Sequence, residues 1–147
     1  ETPDEKYIIF DRDILIGMDG IFHMGIWTNG KAYLNQRVVR FVPENNISVL
    51  ILFHLLKRPI HELNNSIVGT TVAHLSARDI NNIKVVIPKY ELLVKYGNVF
   101  DDFLSQIVNL KKKNKNLKQT RDYLLPKLIS GKVDVSDLDI DTSILDE

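Results

Sequence analysis

The sequence predicts an α+β chain in three parts. A small β-rich domain with short helices covers residues 1–90, one long coiled-coil-type α-helix covers 91–131, and an acidic, partly disordered tail covers 132–147. Three observations carry this reading. Short β-prone runs broken by turn residues fill the first half, and from Tyr96 onward the apolar residues take up a heptad spacing. Charge is also segregated, although the net charge is zero. Residues 1–98 hold eleven Lys or Arg against ten Asp or Glu, residues 99–121 six against two, and residues 122–147 two against seven. A chain of 147 residues, 44% hydrophobic and 26% charged, has the composition of folded protein and the length of one domain with an appendage. With no cysteine it forms neither disulfides nor thiolate metal sites, which suits a reducing compartment. Its longest apolar run, "ISVLILFHLL" at 47–56, is far short of a membrane span.

The β-rich part reads in order. "YIIF" (7–10) and "DILIGM" (13–18) are strands bounded by Asp11-Arg12-Asp13, a turn or local ion pair, and by Asp19-Gly20. Asn29-Gly30 lies between two β-prone arms and signals a type I′ hairpin, whose central residues both need positive φ. "RVVRFV" (37–42) is a further strand stopped by Pro43. Asn46 or Ser48 caps a helix that runs to about Lys57 and ends at Pro59, with a further helical turn or two at 60–66. "VGTTVAHL" (68–75) is extended or looped, Ser76 caps the short helix "ARDINNI", and "KVVI" (84–87) reads as a last strand ended by Pro88.

The heptad follows. Tyr96, Phe100, Phe103, Ile107, Leu110, Asn114, Leu117, Arg121, Leu124 and Leu128 alternate spacings of four and three, the mark of a coiled-coil seam. With Ile107 at position a, the five lysines among residues 111–118 fall at e, f, g, b and e, outside the seam. They form the solvated side of the helix, their aliphatic stems flanking the apolar edge. Asn114 and Arg121 are polar residues at a, which fix register at a cost in stability. Gly131 suits the left-handed residue after the helix end, Lys127 complements the helix dipole, and Pro126 should kink the last turns. Residues 93–130 would make a rod of roughly 55 Å. The e and g lysines lack acidic counterparts at e or g, which disfavours a parallel self-pair and favours an antiparallel mate or a different chain.

"DILIGMDG", "LNQRVVRFVP", "VGTTVAHLSARDINNIKVVIP" and "LKQTRDYLLPKLISGKV", in that order over residues 8–135, resemble the specificity subunit of type I restriction–modification systems. The resemblance implies a target recognition domain followed by a helical spacer, here expected to be the C-terminal half of a longer subunit. It implies a non-catalytic, cytoplasmic bacterial or archaeal protein that reads one half of a bipartite target in double-stranded DNA. It also implies adenine-N6 methyltransferase subunits as partners, an antiparallel helix pair with a second recognition half or another copy, and no membrane. The chain itself would need no cofactor; S-adenosylmethionine, ATP and Mg would sit on partner subunits. One departure is visible: "PKYELLVKYG" carries Leu92-Leu93 where the family commonly has a Glu-Gln pair, and Gly97 follows inside the helix start.

Base edges are read by Arg, Lys, Asn, Gln, Ser or Thr, and phosphates by basic groups or exposed N–H. Asn35-Gln36-Arg37 is the first candidate cluster, two amides and a guanidinium, with a local edge-strand trio as the competing reading. Gly69-Thr70-Thr71 with His74 is the second, against a plain turn with a structural histidine. Lys31, Arg40, Lys57 and Arg58 are candidate phosphate contacts, against simple solvation. Met18-Asp19-Gly20 is read as a turn whose family counterpart lies near the DNA face. Catalytic motifs fare poorly: His23, His54, His61 and His74 lack metal-site spacing, and His54 is expected to pack within its apolar helix. No Asn-Pro-Pro-Tyr or Asp-Pro-Pro-Tyr occurs, so methyl transfer would need a partner. Asp137, Asp139 and Asp141 imitate a calcium loop, but Thr142 occupies its glycine position. The competing function is a coiled-coil structural adaptor that binds protein without DNA specificity.

Overall fold

A computed structural model describes residues 4–44, 47–67 and 74–138 of the chain. The architecture is α+β, with two small antiparallel sheets, two shorter helices and one long C-terminal helix. By contacts the chain forms two units, Glu1–Lys112 and Lys113–Glu147, so the packing boundary falls inside the long helix rather than at its start.

In the first unit, β1 (Ile8–Ile9) pairs with β4 (Ala32–Tyr33), while β2 (Ile14–Gly17) lies between β3 (Met24–Ile26) and β5 (Val38–Phe41). Alternation along β2 buries Ile14 and Ile16 completely, as the two-residue period of a half-covered sheet requires. Ile16 joins Phe22, Ile60 and Leu75 in the core, with Met24, Val39, Phe41 and Leu63 packed around them. The chain bends at Asn29-Gly30 but makes no type I′ hairpin: Asn29 does not take positive φ, and the arms do not pair, since β3 joins β2 and β4 joins β1. Gly30 takes φ +79, whereas Arg12 is the one non-glycine with positive φ among the described residues. The bend is held once from outside and once from its own arm. The Asp11 carboxylate accepts the Gly30 N–H at 2.7 Å, and the Trp27 indole donates to the Gly30 carbonyl at 2.6 Å.

Helix α1 (Val49–Ile67) runs unbroken through Pro59, where the sequence reading ended it. A proline inside a helix removes one hydrogen bond and costs about 3 kcal/mol. Burial of Leu56 and Ile60 on either side offsets that cost. Ser48 precedes α1; its carbonyl accepts from Leu52, while its buried hydroxyl donates to Asp101 at 2.7 Å. Asn46, the alternative cap, lies outside the described residues. His54 is exposed rather than packed inside, meeting Phe53 edge-on. Helix α2 (Ala77–Asn81) begins at the cap expected at Ser76, and Asp79 completes a capping box with it. No strand forms at 84–87: Val86 is 88% exposed and no described strand lies alongside to pair with it. A β-prone run without a ladder partner gains nothing from its propensity.

Helix α3 (Tyr90–Ile129) passes through Gly97 and Pro126 without interruption. Within the first unit it buries Leu93, Gly97, Leu104 and Val108. Apart from Leu93, at a, these are positions e and b of the heptad frame. At 100° per residue that face is turned roughly a quarter turn from the a/d seam. The body therefore covers a different face, and Phe103, Ile107 and Leu110 remain 53, 42 and 58% exposed. Polar ties reinforce the seat: Lys112 pairs with Asp11 at 2.6 Å and Arg12 donates to Ser105 at 2.9 Å. The Asp11-Arg12-Asp13 charges thus reach distant chain, since Asp13 pairs with Arg40 at 3.6 Å.

In the second unit Leu117, Leu124 and Leu128 are likewise exposed. Its helix end is a Schellman motif: Lys132 N–H donates to the Lys127 carbonyl, Gly131 N–H donates to the Leu128 carbonyl, and Gly131 takes φ +67. The last part of the acidic tail, with Asp139 and Asp141 of the calcium-loop mimic, lies outside the described residues.

Two predictions follow from the seat of α3. A Cβ built on Gly97 meets nothing within 4 Å, so Gly97→Ala should raise stability by about 0.5–1 kcal/mol in urea denaturation. The Asp11 carboxyl is held below its ordinary range, first by the Lys112 ammonium and then by the Gly30 N–H. A carboxyl lowered by folding contributes stability that is present above its unfolded pKa, about 3.9, and is lost as pH falls through its folded value. Asp11→Asn should therefore be less stable than wild type at neutral pH, with the gap closing below about pH 4.

Candidate nucleic-acid interface

Three separate stretches meet at the C-terminal end of β2. The chain leaves Gly17 into Met18-Asp19-Gly20, with Gly20 at φ +67 making the turn toward Phe22. Met18 is bonded on both sides: its N–H donates to the Arg37 carbonyl at 2.9 Å, and its carbonyl accepts the Leu75 N–H at 2.7 Å. Asp19 and His74 form a single antiparallel bridge beside it. Below, Ile16 and Leu75 are fully buried, so the surface stands on core.

The turn into β5 is set by Asn35. Its side-chain oxygen accepts the Arg37 N–H at 2.9 Å and its carbonyl accepts the Val38 N–H at 3.0 Å. An Asx side chain bonding two residues on is a local turn device. It leaves Gln36 and Arg37 exposed, with Asn35, Gln36 and Val38 lining a shallow depression shared with Tyr7 and Leu34.

The side chains then converge. Asp19 Oδ1 lies 2.8 Å from His74 Nδ1, and Asp19 Oδ2 lies 3.3 Å from Arg37 Nη1. His74 and then Arg37 hold the Asp19 carboxyl below its ordinary range. Facing a carboxylate, which only accepts, His74 Nδ1 carries a proton and donates it. The structure thus joins Arg37 and His74, which the sequence reading placed in separate clusters, through Asp19, read there only as a turn. Partners 18 and 55 positions away leave no local signal.

The remaining candidates are placed differently. Gly69, Thr70 and Thr71 lie outside the described residues. Lys31 is exposed beside Gly30, which Asp11 ties to the opposite end of β2. Arg40 turns inward: its side chain is 27% exposed, pairs with Asp13 and donates to the Ile8 carbonyl. Those partners give it a structural task that its position in the sequence does not reveal. Arg58 pairs with Glu62 one helical turn on, and the Lys57 ammonium lies over the Phe53 ring at 5.3 Å.

Comparison with known proteins bears on this surface. A family model described as the type I restriction modification DNA specificity domain matches residues 2–119. The chain is similar to the type I restriction enzyme EcoBI specificity subunit of Escherichia coli, at 28% identity over 94% of this chain and 30% of that protein. It is also similar to two specificity subunits of Methanocaldococcus jannaschii. Identity to that of MjaIX is 30% over 74% of this chain and 27% of the relative, and to that of MjaVIII 26% over 88% and 31%. The chain spans less than a third of each relative's length.

The two arginines make a direct contrast. Arg40→Ala removes the ion partner of the mostly buried Asp13, which keeps only the Phe10 N–H, and the donor to the Ile8 carbonyl, and should cost about 1–3 kcal/mol in denaturant unfolding. Arg37→Ala removes an exposed pair and should stay within about 0.5 kcal/mol of wild type.

Proposed function

The chain belongs to the type I restriction modification DNA specificity family, and from that premise we propose that it reads one half of a bipartite DNA target and offers its long helix to partner chains. The observation that carries the reading is the platform at the end of β2, where a guanidinium, an imidazole and two amides stand exposed on fixed backbone. Such donors on a rigid scaffold are what base-edge reading demands. In this reading Asn35, Gln36, Arg37 and His74 face the groove, Gly69, Thr70 and Thr71 contact a phosphate, and Lys31 contacts the backbone of the duplex. Arg40 instead braces the other end of β2, through Asp13 and the Ile8 carbonyl.

The apolar positions Phe103, Ile107, Leu110, Leu117, Leu124 and Leu128 are exposed, with polar Asn114 and Arg121 between them in the heptad. They serve as the seam for an antiparallel helix pair with a second recognition half or another copy. At the start of α3, Leu92, Tyr96 and Phe100 with Ile51 and Leu55 of α1 form an apolar groove that extends the covered face. Adenine-N6 methyltransferase subunits dock along this helical region and bring S-adenosylmethionine; ATP and Mg belong to the translocating subunits. The specificity chain performs no catalysis itself. The setting is the cytoplasm; no helix among the described residues is long and apolar enough to cross a membrane.

Sequencing the methylome after co-expression of the specificity chain with its methyltransferase tests the reading. Gln36→Ala or Arg37→Ala should relax one or two positions of the methylated motif while the complex still assembles. An unchanged motif in both variants would remove this surface from the reading of sequence. Leu117→Asp with Leu124→Asp should instead abolish assembly, read as loss of the high-mass species in light scattering. A structural adaptor without DNA specificity would give a wild-type complex with no preference among duplexes.

A further inference from the structure

A carboxylate on a DNA-facing surface needs explaining, because phosphates repel it. Asp19 is 40% exposed in the middle of the proposed reading surface, yet both its oxygens are taken by cationic or N–H groups of other segments. Its position does not depend on its own flexibility, since the Met18 peptide beside it is fixed from two sides and Asp19 bridges His74 through the backbone.

Arg37 meets Asp19 through Nη1 alone, at 3.3 and 3.4 Å from the two oxygens. Among the described residues its Nε and Nη2 make no hydrogen bond. Those two nitrogens form one edge of the guanidinium, with two parallel N–H groups. That edge matches the O6 and N7 acceptors that guanine displays in the major groove. A long arginine side chain left to itself spends entropy in reaching one geometry; an ion pair on the opposite edge reduces that cost before DNA arrives. His74 holds the carboxylate from its other side through Nδ1, so the carboxylate does not swing away from the arginine.

We infer that Asp19 is a positioning residue for base reading: it fixes the guanidinium of Arg37 so that the Nε/Nη2 edge reads a guanine of the half-site. This rests on the DNA-reading function proposed above. It further implies that the half-site contains a G·C pair whose discrimination depends on two residues, only one of which touches DNA.

The test compares the methylomes of the co-expressed complex carrying Arg37→Lys, Asp19→Ala or Asp19→Asn, together with duplex binding. Arg37→Lys and Asp19→Ala should relax the same G·C position, reducing discrimination there by about 5- to 150-fold and leaving the other positions intact. Asp19→Asn keeps an oxygen acceptor and should restore part of that discrimination; it also serves if Asp19→Ala proves unfolded by circular dichroism. Relaxation by Arg37→Lys with an unchanged motif in both Asp19 variants overturns the positioning role and leaves DNA reading in place. Uniform loss of methylation at every site in the Asp19 variants, or a wild-type half-site without a G·C pair, also overturns it. A wild-type complex with no duplex preference would instead remove the underlying function.

Discussion

The seating of the first turns of α3 on the β-rich body is the constraint on which the first unit depends. Leu93, Leu104 and Val108 supply the apolar contact, and Ser48–Asp101, Arg12–Ser105 and Asp11–Lys112 tie it down. Two of these ties start in the Asp11-Arg12 turn and one in the loop before α1. The Asp11 carboxylate also holds the Gly30 turn, so one side chain fixes the helix and the connection from β3 to β4 together. With sheets this small, little apolar area is buried by strands alone, and a helix laid across them supplies what they lack.

A helix seated this way has two apolar faces with different owners. Leu93 at a, Leu104 at e and Val108 at b belong to the body, while Phe103, Ile107 and Leu110 at d and a are left exposed. The basic run follows that seat: Lys112, at f, reaches back to Asp11, and all five lysines of 111–118 are exposed. From Lys111 onward lysine stands at e and b as well, so the a/d edge is the apolar face that continues there.

Much of this was legible in the sequence wherever the signal was local. The Ser76 cap, the Gly131 terminus, the strand centred on Ile14–Gly17 and the heptad all rest on spacings of a few residues. Where the sequence misled, the deciding partner lay far away. Pro59 stays helical because the core covers Leu56 and Ile60; the Asn29-Gly30 arms separate because two different strands claim them; "KVVI" forms no strand because no described neighbour pairs with it. The candidate surface shows the same division. Asn35 advertised its turn, but the meeting of Arg37, Asp19 and His74 is a tertiary fact. Arg40 and Arg37 look alike on paper, and only the fold separates the inward one from the outward one.

The double anchoring of Met18 has an evolutionary side. The three segments that build the platform are joined there through main-chain groups, which every amino acid except proline supplies in full. Side chains at 36, 37 and 74 can therefore be exchanged while the scaffold beneath them keeps its shape. Under the proposed DNA-reading function such an arrangement is an advantage: the alphabet can drift, residue by residue, without the cost of reinventing the page.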